Sequence, residues 1–287
     1  MNPLLNLQHL KFFCDAVTYK SVSEAAKMNY VTQSAISQAI GKLEKLFSAS
    51  LVYHNRQKLY VTSEGEILYE RAKEIFYSVQ KTFDNVNETK EEISGTLKFV
   101  TTKSLGMSFI APMYKQIQEE LPSLELKFRM GGKNLIRTRL KRGEVEFAIV
   151  VYDDNFTEFK KIPITTGQFY LYQAKNSPKN LIDQGVFVDE YEGPFVKDLQ
   201  KYFDDLEGEL TQIKAETGGW ELAARFAELG IGVSFFPDYL VKNNRHSNLQ
   251  VHPLKIPTYE YEICAIQNKT TVLSRAANAF IEKFTME

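Results

Sequence analysis

Cysteine is scarce in this 287-residue chain: Cys14 and Cys264 lie far apart, with no CxxC pair and no nearby His–Cys cluster. Neither a zinc site nor a disulfide framework is encoded locally, which fits a reduced compartment. Histidine is sparse too. His9, His54, His246 and His252 are scattered, and none is paired in sequence with a nucleophile. There is no nucleophile elbow, no metal-ligand spacing and no nucleotide-binding loop, so no enzyme and no cofactor are expected. No apolar run approaches the roughly 18 residues of a membrane-spanning helix. The opening stretch MNPLLNLQHL carries neither a basic n-region nor a small-residue cleavage site. The expectation is a cytoplasmic chain with no membrane partner.

What is present is a globular composition, 44% hydrophobic and 25% charged, with enough length for two domains. The net charge of −1 hides an asymmetry, because residues 1–60 carry seven basic side chains against three acidic ones, net +4, leaving −5 for the rest. A basic head and an acidic body suggest a polyanion-binding module attached to something with another task.

In the head, LQHLKFFCDAVTYK places Leu7, Leu10, Phe13, Cys14 and Val17 on one helical stripe ending near Tyr19. Cys14 lies within that stripe and reads as a small core hydrophobe. SVSEAAKM begins a second helix, with a capping box from Ser21 to Glu24 and a packing face of Ala25, Ala26 and Met28. A short turn follows, and Thr32 is placed to cap a third helix, with Val31 and Ile36 as a hydrophobic staple. This is the plan of a helix-turn-helix. The third helix carries Val31, Ala35, Ile36, Ala39, Ile40, Leu43, Leu46 and Phe47 on its apolar face and turns Thr32, Gln33, Ser34, Ser37 and Gln38 outward. Polar helix faces are usually solvated surface, but these are short hydrogen-bonding residues at a helix N-terminus, where a recognition helix meets base edges and phosphate. After it, VYH and LYVT alternate as two strands about a polar NRQK tip, a hairpin whose Arg56 and Lys58 can reach the DNA backbone or minor groove.

LQHLKFFCDAV, SVSEAAKMNYVTQSAISQAIGKLEKLF, LVYHNR and LYVTSEGEILYERA together resemble, in order and spacing, the N-terminal domain of the LysR-type bacterial transcriptional regulators. The resemblance implies that Thr32, Gln33, Ser34, Ser37, Gln38 and Lys42 face DNA and that Arg56 and Lys58 form the wing. The chain departs from the family's usual residues at Ser34, Gln38, Ser48 and His54, where proline, arginine, glycine and arginine are common. Gln33 and Gln38 retain the geometry for paired hydrogen bonds to adenine.

SEGEILYERAKEIFYSVQKTFDNVNETKEEI opens with a second capping box, Ser63 to Glu66. Leu68, Ala72, Ile75, Val79, Phe83 and Val86 then recur at three- and four-residue steps. A helix on the order of 45 Å long cannot bury that stripe on a small head. A dimerisation helix is the economical reading, and the resemblance implies the same.

Beyond Gly95 the pattern becomes βαβαβ, the signature of a parallel sheet with crossover helices: strand TLKFVTT, helix GMSFIAPMYKQIQEELP, strand SLELKFRMG, helix NLIRTRLKRG, strand VEFAIVVY. The first of these helices is expected to turn Met107, Ile110, Met113, Tyr114 and Ile117 inward. SGTLKFVTTKSLGMSFIAPMYKQIQEELPSLELKF, LKRGEVEFAIV and ELGIGVSFFP resemble the effector-binding domain of the same family, while residues 175–215 match nothing distinctive. In an open parallel sheet, ligands sit beyond the carboxyl ends of strands. Thr101, Thr102, Lys103 and Ser104 lie there, a loop suited to an anion or carboxylate. Gly132 and Lys133 after the second strand and Thr217 from the other lobe complete the candidate effector residues, while Trp220 reads as lobe core.

The expected architecture is an N-terminal winged helix-turn-helix over 1–62, α with a β wing, and a long linker helix over 63–93. An α/β two-lobed periplasmic-binding-protein-like effector domain over 94–287 follows. Lobe I is placed at about 94–165 and 267–287, lobe II at about 166–266, with crossings near Thr165–Gly167 and Ile266–Asn268. The expected partners are double-stranded DNA, a small-molecule effector, further copies of the chain as homodimer or homotetramer, and RNA polymerase. A secreted solute-binding module would explain the body but leave the basic head idle, and an enzyme has no visible machinery.

Overall fold

The computed structural model describes residues 5–55, 58–87, 93–178, 185–205, 213–242 and 246–285. The chain divides into two compact units, Met1–Thr89 with Lys141–Glu144, and Lys90–Leu140 with Val145–Glu287.

In the first unit, α1 (Leu7–Tyr19), α2 (Val22–Met28) and α3 (Gln33–Phe47) pack around Leu10, Phe13, Ala25, Ile36 and Leu43, all nearly inaccessible to solvent. Phe12 and Ala16 join this core, whereas Leu7, Met28 and Phe47, expected to pack, are exposed. Ser21 caps α2 through Glu24 N–H at 3.2 Å, but the Glu24 carboxylate pairs with Lys27 at 2.8 Å, so only half of the capping box forms. Asp15 on α1 accepts from Lys11 and from the Asn29 amide, both at 2.7 Å, which pins α1 to the turn after α2. Burial pushes the Cys14 thiol up to about 12, so it stays protonated.

The wing is β1 (Val52–Asn55) paired antiparallel with β2 (Lys58–Val61), and Glu44 of α3 accepts from Leu51 N–H at 2.9 Å to fix where it starts. The helix that follows, α4 (Ser63–Asn87), is capped one residue earlier than expected. Thr62 Oγ1, not Ser63, accepts from Gly65 N–H at 3.0 Å, so Ser63 is already the first helical residue. Leu68 and Ala72 are buried against the head itself, while Phe83 on the same stripe is 62% exposed. The side chain of Val86 lies outside the described residues.

The described strands of the second unit form one nine-stranded sheet, β4-β3-β5-β11-β6-β9-β7-β8, with β10 (Leu249–Val251) paired to β6. β3 (Gly95–Thr101) runs parallel to β4 (Leu124–Met130) and β5 (Phe147–Val151), with α6 (Ala111–Glu120) and α7 (Lys133–Lys141) as the crossovers. Before α6, a short α5 (Lys103–Leu105) and a π turn (Gly106–Ile110) make one helical run from Lys103 to Glu120. Its buried face is Ile110, Met113 and Ile117; Met107 and Tyr114 are partly exposed, contrary to the expected stripe, and for Met107 the π turn, which adds a residue, shifts its phase against that face. The second half repeats the parallel plan with β7 (Val186–Val188), α8 (Pro194–Asp204), β8 (Ile213–Glu216), α9 (Trp220–Glu228) and β9 (Val233–Pro237).

Two long strands, β6 (Lys160–Ala174) and β11 (Tyr259–Gln267), run antiparallel through both halves. Thr165–Gly167 does lie where β6 passes between them, but its partners are Tyr261–Ile263, with an irregularity at Ile263/Cys264. Ile266 is already paired with Lys161 and with Ala148 of β5, so the second crossing falls several residues before the expected Ile266–Asn268. Gly167 is required here: a Cβ would lie 2.1 Å from Tyr261 Oη, and that hydroxyl donates to Asp238 at 2.5 Å. The last helix, α10 (Arg275–Thr285), returns to the first half, where Phe280 packs at 4.9 Å from Phe99 and 5.9 Å from Phe147. Glu146, a buried carboxylate in an otherwise apolar stretch, holds the start of α10 by accepting from Ser274 N–H and, at 3.1 Å, from Ser274 Oγ.

Candidate functional site

The head presents Thr32, Gln33, Ser34, Ser37, Gln38 and Lys42 together as one exposed face of α3. Thr32 caps the helix by accepting from Ala35 N–H at 3.2 Å, and the Gln38 amide donates to Ser34 Oγ at 3.2 Å. The amide that stands where an arginine is common is thus tethered along the helix surface. Arg56 lies outside the described residues; Lys58 opens β2, and its side chain lies outside them too. Two aromatic features escaped the sequence reading. Tyr30 is 97% exposed in the turn before α3, with a left-handed backbone (φ 54°), and Tyr53 and Tyr60 stack at 5.4 Å on an exposed face of the wing.

In the second unit a cleft of about 610 Å³ opens between the two halves of the sheet. Thr102, Lys103, Ser104, Gly132, Lys133 and Thr217 line it as expected; Thr101 does not. Thr101 is fully buried and donates its hydroxyl to Ile149 O at 2.9 Å, because it still belongs to β3. The other hydroxyls are largely engaged by the protein. Thr102 Oγ1 caps Leu105 at 3.4 Å, Thr217 Oγ1 lies 2.9 Å from Val188 O, and Ser104, 4% exposed, accepts from Tyr239 at 2.8 Å.

The cations differ from one another. Lys133 is held by Asp153 at 3.0 Å and Glu190 at 3.2 Å. Burial opposes its charge, but the Asp153 hydrogen bond and the two carboxylates outweigh it and raise its pKa. Lys103 is exposed at the mouth, with no ion pair to a described residue. Four carboxylates that the sequence reading did not single out line the cleft: Asp153, Asp189, Glu190 and Glu221. Asp189 is pushed up to about 6, first by burial and then by the charges of Glu190, Glu221 and Glu216, against the pull of Lys133. Glu221 Oε1 is buried and accepts no hydrogen bond. Trp220, expected in the lobe core, shares its rings between core and cleft, 5.6 Å edge-on to Phe169, with Phe195 4.7 Å from Phe169 on the other side.

Two family models match these two units. The one described as the LysR substrate binding domain matches residues 90–286, and the one described as the bacterial regulatory helix-turn-helix protein, lysR family, matches residues 7–66. The chain belongs to the LysR family. It is a LysR-type DNA-binding transcription regulator with an effector-binding domain. It is similar to the uncharacterized regulator YxjO of Bacillus subtilis, 24% identical over 83% of this chain and 82% of that one. It is also similar to the transcriptional activator IlvY of Salmonella typhimurium, 22% identical over 91% and 94%. A full-length OxyR variant of Pseudomonas aeruginosa has the same fold, with a TM-score of 0.71 at 16% identity over 99% of this chain and 98% of that one. So does full-length CbnR, crystallised with its target DNA, at TM-score 0.63 and 14% identity over 98% and 99%.

This LysR-type regulator has no helix among its described residues that is long and apolar enough to cross a membrane. The sequence signal for two of its overlooked cleft acids, Asp189 and Glu190, lay in VFVDE, residues 186–190, where a short buried strand ends in two carboxylates. The carboxyl end of a strand in an open α/β sheet is where ligand-facing residues belong.

Proposed function

We propose that this regulator reads base edges in the major groove with Gln33, Ser34, Ser37 and Gln38, and anchors on phosphates through Thr32, Lys42 and the wing residues Arg56 and Lys58. The observation that carries this is the single exposed face from Thr32 to Lys42, made of short hydrogen-bonding side chains behind a capped helix N-terminus. Residues 1–62 form the reader and 63–93 the dimerisation helix, so that two readers meet a two-fold-related operator. Residues 94–287 sense a small molecule. The effector occupies the cleft and presents a carboxylate or other anion to Lys103 and to the first N–H groups of the helical run it begins. Binding closes the two halves and changes the spacing of the readers in a cytoplasmic dimer or tetramer, whose transcriptional output passes to RNA polymerase.

The test is DNA affinity titrated against salt for the full chain and two variants. Gln33→Ala is expected to weaken the cognate site by roughly tenfold and random DNA hardly at all. Lys42→Ala weakens both and lowers the salt slope by about one. Equal losses on cognate and random DNA for Gln33→Ala would remove it from readout.

A further inference from the structure

The cleft contains more carboxylate than its own cations can satisfy. Lys133 is already shared by Asp153 and Glu190, and Lys103 stands exposed at the mouth. That leaves Asp189 and Glu221 on the wall contributed by the second half. No described residue donates a hydrogen bond to the Asp189 side chain, on which Lys133 acts through its charge alone, and none donates to the buried Glu221 Oε1. Two carboxylates that repel each other in a half-buried wall destabilise it until a cation compensates them. A metal ion is a poor candidate, since the described residues include no group of three or more side chains able to hold one. Beside them the partly exposed Trp220 lines the cleft, backed edge-on at 5.6 Å by the buried Phe169. Carboxylates beside aromatic faces are the recognition chemistry of an organic cation, which gains from both charge and ring quadrupole.

We propose that the effector carries an ammonium or guanidinium group that docks against Asp189 and Glu221, with Trp220 alongside. This rests on the reading of the cleft as the effector site and extends it: the ligand is a zwitterion whose anionic end meets Lys103 and whose cationic end meets the opposite wall. A cleft of about 610 Å³ has room for such a molecule.

The experiment uses the full-length chain, melted and titrated calorimetrically with L-arginine, L-lysine, agmatine and putrescine, and with succinate and 1,4-butanediol as anionic and neutral counterparts. At least one of the four cations is expected to bind and to raise the melting temperature, while butanediol does neither. The near-isosteric variants Asp189→Asn and Glu221→Gln, their folding checked by their own unliganded melting, weaken that cation by roughly tenfold or more. Cation binding that both variants leave unchanged overturns the proposal. So does the failure of all four cations to bind; succinate binding weakened by Lys103→Ala would in that case keep the cleft as the effector site with the opposite charge preference.

Discussion

Tyr239 donates its hydroxyl to Ser104 Oγ at 2.8 Å, a buried hydrogen bond that joins the two halves of the effector-binding domain. Ser104 lies 3.1 Å from Thr102 Oγ1, and the Tyr239 ring packs 5.5 Å from Phe109 of the first half. Burial holds the Tyr239 phenol well above its ordinary pKa, so it remains a donor throughout the physiological range.

Tyr239→Phe keeps the ring and removes the donor, leaving the buried Ser104 hydroxyl without it. The expected cost is about 1 kcal/mol, read from denaturation followed by the fluorescence of Trp220, whose ring lies 6.2 Å from that of Tyr239. Ser104→Ala should cost a similar amount with effector affinity nearly unchanged. A large affinity loss with no change in stability would return Ser104 to the ligand.

Asp189 makes the free protein pH-sensitive. Its pKa rises from 3.8 to about 6 on folding, so between those values the folded chain keeps a proton that the unfolded chain releases. Stability therefore falls as pH rises from about 4 to about 6 and stays lower above that. Glu190, Glu221, Glu216 and Lys133 are the charged groups acting on it. Asp189→Asn is expected to stabilise the unliganded chain by on the order of 2 kcal/mol at pH 7.5 and hardly at all at pH 4. A melting-temperature difference that does not change between those pH values would refute this.

Ser48 ends α3 with a left-handed backbone, φ 52° and ψ 38°, at a position where the family commonly has glycine. A Cβ is costly in that conformation. Ser48→Gly should stabilise the head by about 0.5–1 kcal/mol, seen as slower amide hydrogen exchange along residues 33–47. Faster exchange would show that the Ser48 side chain contributes more than the strain costs.

Phe83 continues the stripe of α4 past the point where the head covers it. If that part of the helix pairs with a second copy, Phe83→Glu shifts the chain toward monomer in sedimentation at micromolar concentration and weakens DNA binding, while Ala72, packed on its own head, keeps the fold intact. An unchanged sedimentation profile would place the dimer contact elsewhere.

Local rules carried the sequence reading a long way. The three helices of the head, the Ser21 and Thr32 caps, the wing strands and the βαβαβ order all follow from side-chain periodicity and from backbone groups that must be satisfied within a few residues. Where an element ended was harder. Thr62 displaced Ser63 as the cap of α4, and a π turn shifted Met107 out of phase with the buried face, because one residue of phase costs little locally and is settled by neighbours.

By itself, then, the sequence determined that this is a basic three-helix reader with a wing, joined by a long helix to an α/β body with its candidate loop at Thr102–Ser104. Only the tertiary structure decided what that loop faces. Lys133 is committed to Asp153 and Glu190, Ser104 to Tyr239, and Lys103, Asp189 and Glu221 line the cleft without a side-chain hydrogen bond or ion pair to a described residue. Those pairings join residues far apart in the chain, as Tyr239 and Ser104 are, and charge compensation depends on distance in space, which periodicity along the chain does not encode.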